Sequence, residues 1–121
     1  MKTILVFLLF ITTLFYGQES DSNLTINKTP IVTFIELGSV NCIPCKQMQP
    51  IMKSIEEKYG SQVKVVFYDV WKPEQKKYAT EYGIKLIPTQ IFLDKNGKEF
   101  HRHEGFYPEN EIEKVLRTQG L

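Results

Sequence analysis

Ile31-Val32-Thr33-Phe34-Ile35-Glu36-Leu37-Gly38-Ser39-Val40-Asn41-Cys42-Ile43-Pro44-Cys45 leads from a nearly continuous apolar run into a pair of cysteines three positions apart. The run, residues 31–37, is apolar on both of its alternating faces, so it reads as a strand in the middle of a sheet covered on both sides. Residues 46–59 follow with Met48, Ile51, Met52, Ile55 and Tyr59 at helical spacing, a stripe that faces a core. The methionines read as core filler rather than as a cofactor box. Cys42 and Cys45 are the chain's two cysteines and lie where strand hands over to helix. That junction exposes unpaired backbone N–H groups and the positive end of a helix dipole, which favours a thiolate at Cys42. With Cys42 at the helix start, Cys45 lies about one turn in, close enough for the sulfurs to bond. The pair reads as a dithiol that opens and closes reversibly, Cys42 attacking and Cys45 resolving.

Three other readings compete. A structural disulfide across so short a loop restrains the unfolded chain only slightly, and small secreted domains use several wider bridges. A zinc site needs two more ligands, and the histidines on offer, His101 and His103, are closer in sequence than zinc-binding pairs usually are. Those two lie on one face of an edge strand, where solvated surface histidines are expected. A pair of inert buried thiols would have to meet in a loop-to-helix turn by accident.

The 121 residues suit one domain, and a net charge of +1 leaves neither a nucleic-acid footprint nor a polybasic membrane patch. Lys2, then the unbroken apolar residues 4–11 extended by Thr12-Thr13-Leu14-Phe15-Tyr16, reads as a signal peptide. The segment is short for a spanning helix, which needs about 20 apolar residues. The expected cut is after Gly17, a cut after Ser22 is the other option, and an uncleaved tether is the competing form. Either form places the domain outside the cytoplasm, in a periplasmic or other extracytoplasmic setting where a reducing role needs an electron supply. Residues 1–17 are therefore read as signal peptide or short anchor. Residues 18–30 are a polar lead-in with a short extended piece at Leu24-Thr25-Ile26, and 31–121 are the folded domain.

The long helix contains Pro50 and ends at Gly60-Ser61, and residues 63–70 form a second strand rich in β-branched and aromatic side chains. Strand, helix and strand make a parallel βαβ unit. Residues 73–82 read as a shorter helix closed by Gly83, 89–93 as a third strand, and 98–104 as a charged strand at a sheet edge. Asp94-Lys95-Asn96-Gly97 between them predicts a type I′ turn. Pro108 opens a last helix with Ile112, Val115 and Leu116 on its core face. Trp71 reads as cover for the core, with a cap over the active-site side as the competing reading. The order β-α-β-α-β-β-α makes this an α/β domain.

At this point the chain resembles the thioredoxin family, over residues 31–116, through several motifs together. Cys42-Ile43-Pro44-Cys45-Lys46 reads like the family's C-x-P-C-K, and Pro50 matches its helix proline. Tyr82-Gly83-Ile84 with Ile87-Pro88-Thr89 matches its Y-G-I and I-P-T segments, and Asn96-Gly97 with Gly105 matches its hairpin and a following glycine. The resemblance implies a thioredoxin-like fold, a central mixed four-stranded sheet with helices on both faces, and thiol–disulfide exchange. It implies that Pro88 is the family's cis-proline and that the Ile87 backbone pairs with an extended substrate segment. It also implies that Ile43, Pro44, Ile87, Gly105 and Phe106 form an apolar rim around Cys42. The sequence departs from the family in Asn41, where Trp is usual, and in Ile43, where Gly is usual. It also carries an insertion at Trp71-Lys72-Pro73-Glu74-Gln75 and has too few residues before Ile31 for the family's first strand and helix. These departures leave the redox potential open.

Glu36 interrupts the buried strand six residues before Cys42, where the family carries a buried Asp. Burial disfavours the charged carboxyl, so its pKa should rise, and such a group can take the proton from Cys45 as that sulfur attacks a mixed disulfide. The other reading is an edge Glu that reaches solvent. The family's strand-borne Lys beside that acid has no clear match, since Val65 or Phe67 falls there. The function expected is an exported protein-disulfide reductase with Cys42, Cys45 and Glu36 as catalytic residues. It would act as a monomer on disulfide-containing proteins and be re-reduced by a membrane thiol-electron donor. It would use no cofactor beyond the Cys42–Cys45 disulfide, no metal and no nucleic acid. A disulfide-forming oxidant or isomerase competes, although dedicated oxidants of this superfamily usually carry a large helical insertion for which this chain has no room. A metal chaperone using Cys42, Cys45 and a histidine is the reading from another class.

Overall fold

A computed structural model describes residues 28–121. The expected signal segment and residues 18–27 of the lead-in, with Leu24-Thr25-Ile26, lie outside the described residues.

Four strands make one mixed sheet: β1 (Val32–Gly38), β2 (Val63–Asp69), β3 (Thr89–Leu93) and β4 (Glu99–Glu104), in the order β2-β1-β3-β4. β1 pairs parallel with β2 and antiparallel with β3, and β3 pairs antiparallel with β4. The helices are α1 (Ile43–Tyr59), α2 (Lys77–Glu81) and α3 (Glu109–Arg117). The central place of β1 follows from its sequence, because its side chains are apolar on both faces and both faces are covered. Val32, Phe34 and Phe92 pack with Met48, Met52 and Ile55 of α1 and with Ile112 and Leu116 of α3. On the opposite face Ile35, Leu37 and Ile91 pack with Val70 and with Tyr78, Ala79 and Tyr82 around α2. Phe34 and Phe92 stack with centroids 4.9 Å apart, worth roughly 0.5–1.5 kcal/mol beyond their burial. This is the α/β architecture with helices on both faces that the sequence predicts.

α1 starts directly after Cys42, runs unbroken through Pro50, and stops where Gly60 takes a positive φ of 54° that a side chain would oppose. α3 begins after Pro108 with Glu109 and Glu111 in its first turn and Lys114 and Arg117 in its last, the charge order a helix dipole favours.

Two expectations need correction. The helix predicted over 73–82 exists only as Lys77–Glu81. Successive tight turns precede it, with Gln75 N–H donating to Lys72 O and Tyr78 N–H to Gln75 O. The Gln75 side chain accepts the Asp69 N–H at 2.7 Å, and the core contacts of this segment begin at Tyr78, so nothing earlier anchors a helical face. The hairpin is not type I′, because no residue other than glycine has a positive φ among the described residues. Asp94 O accepts from Gly97 N–H, and the Asp94 carboxylate accepts from the N–H groups of Asn96 and Lys98. Lys95 and Asn96 are therefore the corners of a type I turn, and Gly97 at φ 78° carries the reversal.

The strand directions gather one end of the sheet. The last residues of β1, β2 and β4 and the first of β3 lie together there, so the loops around 39–42, 70–76, 84–88 and 105–107 are neighbours.

Candidate active site

Cys42 and Cys45 form a disulfide with Cα atoms 5.1 Å apart. Cys42 is the N-cap of α1 with extended backbone (φ −96°, ψ 126°), and its carbonyl accepts the Lys46 N–H at 2.9 Å. An N-cap side chain normally takes the N–H of the second or third helical residue. The second here is Pro44, which has none, so a Cys42 thiolate is left the N–H of Cys45 together with the helix dipole. No acidic residue stands in the first turn to oppose that charge. The sulfurs differ in access, with Cys42 8% exposed and Cys45 fully buried. Such an arrangement is suited to thiol–disulfide exchange.

The loop before Cys42 is fixed from below by Asp69 at the end of β2. Its carboxylate accepts the N–H groups of Val40 and Trp71. Burial pushes this carboxyl up, but those two N–H groups, the Ser39 hydroxyl and Lys72 outweigh it and hold it below its ordinary range. The Ser39 hydroxyl also accepts the Asn41 N–H.

Gly38 is a requirement that sequence reading missed. A Cβ there would sit 3.1 Å from Cys45 Sγ and 3.2 Å from Cys45 Cβ, tight enough that Cys45 would have to give by a few tenths of an ångström. Gly38→Ala is expected to force strand and helix apart and cost roughly 1–3 kcal/mol, read as a lower urea midpoint. An unchanged midpoint would show that the junction has slack.

Glu36 stands two residues back on the same face, about 7 Å along the strand at roughly 3.3 Å per residue. It is fully buried, not an edge residue reaching solvent, and desolvation pushes its pKa from 4.5 up to about 8 against the lowering effect of a Gln90 hydrogen bond. Gln90 Nε2 donates to Glu36 Oε1 at 3.3 Å, while Glu36 Oε2 has no hydrogen-bond partner among the described residues. The register puts Phe67, not Val65, opposite Glu36 on β2, so no cation faces the acid from that strand.

The apolar rim is wider than the sequence suggests. Among the described residues Ile43 (73% exposed), Phe106, Val40, Leu86 and Trp71 are the exposed large apolar side chains; Ile43 opens α1 and the other four occur on the loops at the Cys42 end of the sheet. Trp71, read from the sequence as core cover, is 59% exposed, because its N–H is tied to Asp69 while its ring lines an open groove of about 300 Å³ with Leu86 and Ile87. Pro44 is exposed beside Ile43, Pro88 is buried, and Ile87 and Gly105 are partly buried. The Ile87–Pro88 bond is cis, and Pro88 O accepts the Gly105 N–H at 2.7 Å. Ile87 takes no part in the turn and loop backbone hydrogen bonds among the described residues.

The histidines are not the solvated pair expected. His103 stacks on Tyr107 with centroids 3.8 Å apart and binds Gln90 Oε1 through Nδ1, and His101 Nε2 meets the Tyr107 hydroxyl at 2.9 Å. Tyr107 is buried beside Phe92 and holds both rings against the sheet. The polar residue Gln90, set in the otherwise apolar run Ile91-Phe92-Leu93, was the available sign of this cluster.

A family model described as a thioredoxin-like domain matches residues 18–120. Chloroplastic thioredoxin Y of Oryza sativa subsp. japonica is 35% identical over 87 residues, 72% of this chain and 50% of that protein, so the chain spans half that relative's length. The thioredoxin of Mycoplasmoides gallisepticum is 35% identical over 101 residues, covering 82% of this chain and 92% of that one. The structure of a mutant thioredoxin from Halobacterium salinarum NRC-1 has a TM-score of 0.66 at 20% identity over 74% of this chain and 75% of its own, a likeness of fold. A family match that reaches from residue 18 to residue 120 around this cysteine pair makes the chain a member of the thioredoxin-like family.

Proposed function

We propose that the protein is an exported reductase of protein disulfides. The observation that carries the reading is the asymmetry of the pair: an accessible Cys42 at the mouth of α1 within an apolar surface, and a buried Cys45 behind it. In the reduced protein the Cys42 thiolate attacks a substrate disulfide, forming a mixed disulfide and releasing one substrate thiolate. Cys45 then gives its proton to Glu36 and attacks Cys42 Sγ. The Cys42–Cys45 bond forms, the bond to substrate breaks, and the substrate leaves with two electrons gained. The exposed Ile43, Trp71, Leu86 and Phe106 offer an apolar bed for an unfolded or extended chain, and the unengaged backbone of Ile87 offers it a partner. Pro44, Pro88 and Gly105 complete the substrate-binding surface.

The apolar segment after Lys2 supports export. Outside the cytoplasm the spent disulfide needs an electron source, for which a membrane thiol-electron donor is the fitting class. Among the described residues no group of three His, Cys, Asp or Glu is placed to hold a metal ion, and both histidines are engaged with Tyr107 and Gln90.

The deciding measurement is the equilibrium of Cys42–Cys45 against glutathione. A potential of about −250 mV or lower is expected, and one near −120 mV would make the protein an oxidant instead. The mature N-terminus of the same preparation is expected at Gln18 or Asn23; Met1 retained in a soluble cytoplasmic form would end the export reading.

A further inference from the structure

Glu36, Gln90 and His103 lie in one row across the sheet, because Glu36 is in register with Gln90 and Gln90 with His103. The row ends at Phe67 on the other side. Gln90 Oε1 can only accept, so the 2.8 Å contact requires a proton on His103 Nδ1. With that oxygen turned outward, the amide must turn Nε2 inward, and Nε2 donates to Glu36 Oε1. An unassisted amide could present either end to the carboxyl. An imidazole protonated at Nδ1 selects this orientation, since the other tautomer would accept from the amide NH2 instead, and the stack on Tyr107 fixes the ring plane.

We propose that Gln90 and His103 are positioning residues for Glu36: a line of donors running inward from the sheet edge that holds the carboxyl by one oxygen, supports its ionised form, and leaves the second oxygen to the proton of Cys45. This rests on the reading of Glu36 as the proton acceptor given above. The surroundings leave the task to this line. β2 offers the phenyl ring of Phe67, α1 offers Cys45 over Gly38, and the titratable groups at the β4 side are His103, His101 and Tyr107. Burial pushes the carboxyl up and the Gln90 bond is what works against it. A donor at the end of a polarised chain favours the anion and costs little reorganisation when the proton arrives.

The test follows Glu36 ionisation by carboxyl 13C NMR in the oxidised protein, where no thiol titrates, alongside the pH profile of mixed-disulfide resolution in the reduced one. Gln90→Leu is expected to shift the Glu36 titration upward by about tenfold in proton concentration, one pKa unit. His103→Phe keeps a ring against Tyr107 but removes the donor, and is expected to shift it in the same direction. His103→Asn restores an N–H near the Nδ1 position and is expected to bring it back. His103 sits on an edge strand, so its variants carry the test if Gln90→Leu fails to fold. An unmoved Glu36 titration in His103→Phe would overturn the proposal. A titration that moves while the resolution profile stays put would support the positioning line and overturn instead the role of Glu36 as acceptor.

Discussion

Cys42→Ser should abolish disulfide reduction, lowering the rate by at least about a thousandfold, the scale of loss when an enzyme's nucleophile is removed. Cys45→Ser should also stop turnover, but at a later step, and should accumulate a mixed disulfide on Cys42. The difference follows from geometry. Cys42 is the more exposed residue of the two and the one that caps α1, so it is the one an external disulfide can meet and the helix dipole can support as thiolate. Cys45 has no exposed surface and packs against Gly38, so in Cys42→Ser it has no route to a protein partner. Intact-mass analysis after incubation with a disulfide-bonded protein should show adduct with Cys45→Ser and none with Cys42→Ser. An adduct on Cys45, or residual turnover without Cys42, would reverse the assignment of the two sulfurs.

What sequence alone revealed was whatever depends on periodicity and on residues with one dominant physical habit. The apolar faces of residues 31–37 placed β1 at the centre, and the stripe from Met48 to Ile55 placed α1 over it. Glu36 was conspicuous because a lone acid in such a strand has no ordinary reason to be there, and the structure buries it rather than letting it reach solvent. The misses share a different cause. The start of α2, the hairpin type and the exposure of Trp71 are decided by side chains that bond backbone groups two to six residues away: Gln75 to Asp69, Asp94 to Asn96 and Lys98, Asp69 to Trp71. Those bonds exist only once the chain has folded, and composition does not announce them. His103 is the clearest case. By its strand it belongs to a charged edge, yet Tyr107, four residues on, turns back to cover it, and the register of β3 against β4 brings it to Gln90.

Glu36→Gln should make the protein more stable in mild alkali and slower in catalysis at once. The folded carboxyl titrates at about 8 and its ordinary value is 4.5, so between those limits the unfolded chain has lost a proton that the folded chain keeps. Stability contributed by this group is whole below pH 4.5, falls as pH rises, and is gone once pH passes the folded value. From 4.5 to about 8 is 3.5 units, which at 1.36 kcal/mol each is ~5 kcal/mol of destabilisation above pH 8. An uncharged Gln at this place removes the slope, though its buried amide can leave one N–H unpaired at a cost of about 1–3 kcal/mol. Urea unfolding of the oxidised proteins should therefore show the variant equal to or weaker than wild type near pH 4.5 and several kcal/mol stronger at pH 9. The same substitution removes the acceptor for the Cys45 proton, and release of substrate from the mixed disulfide should slow by about 10²–10⁴-fold. The stability change follows from burial alone and a purely structural carboxyl would share it; the slowed release of substrate is the part that marks a proton acceptor. If wild-type stability proved flat between pH 5 and 9, the buried charge would be compensated by a partner other than Gln90 and the carboxyl would lose its claim to the proton.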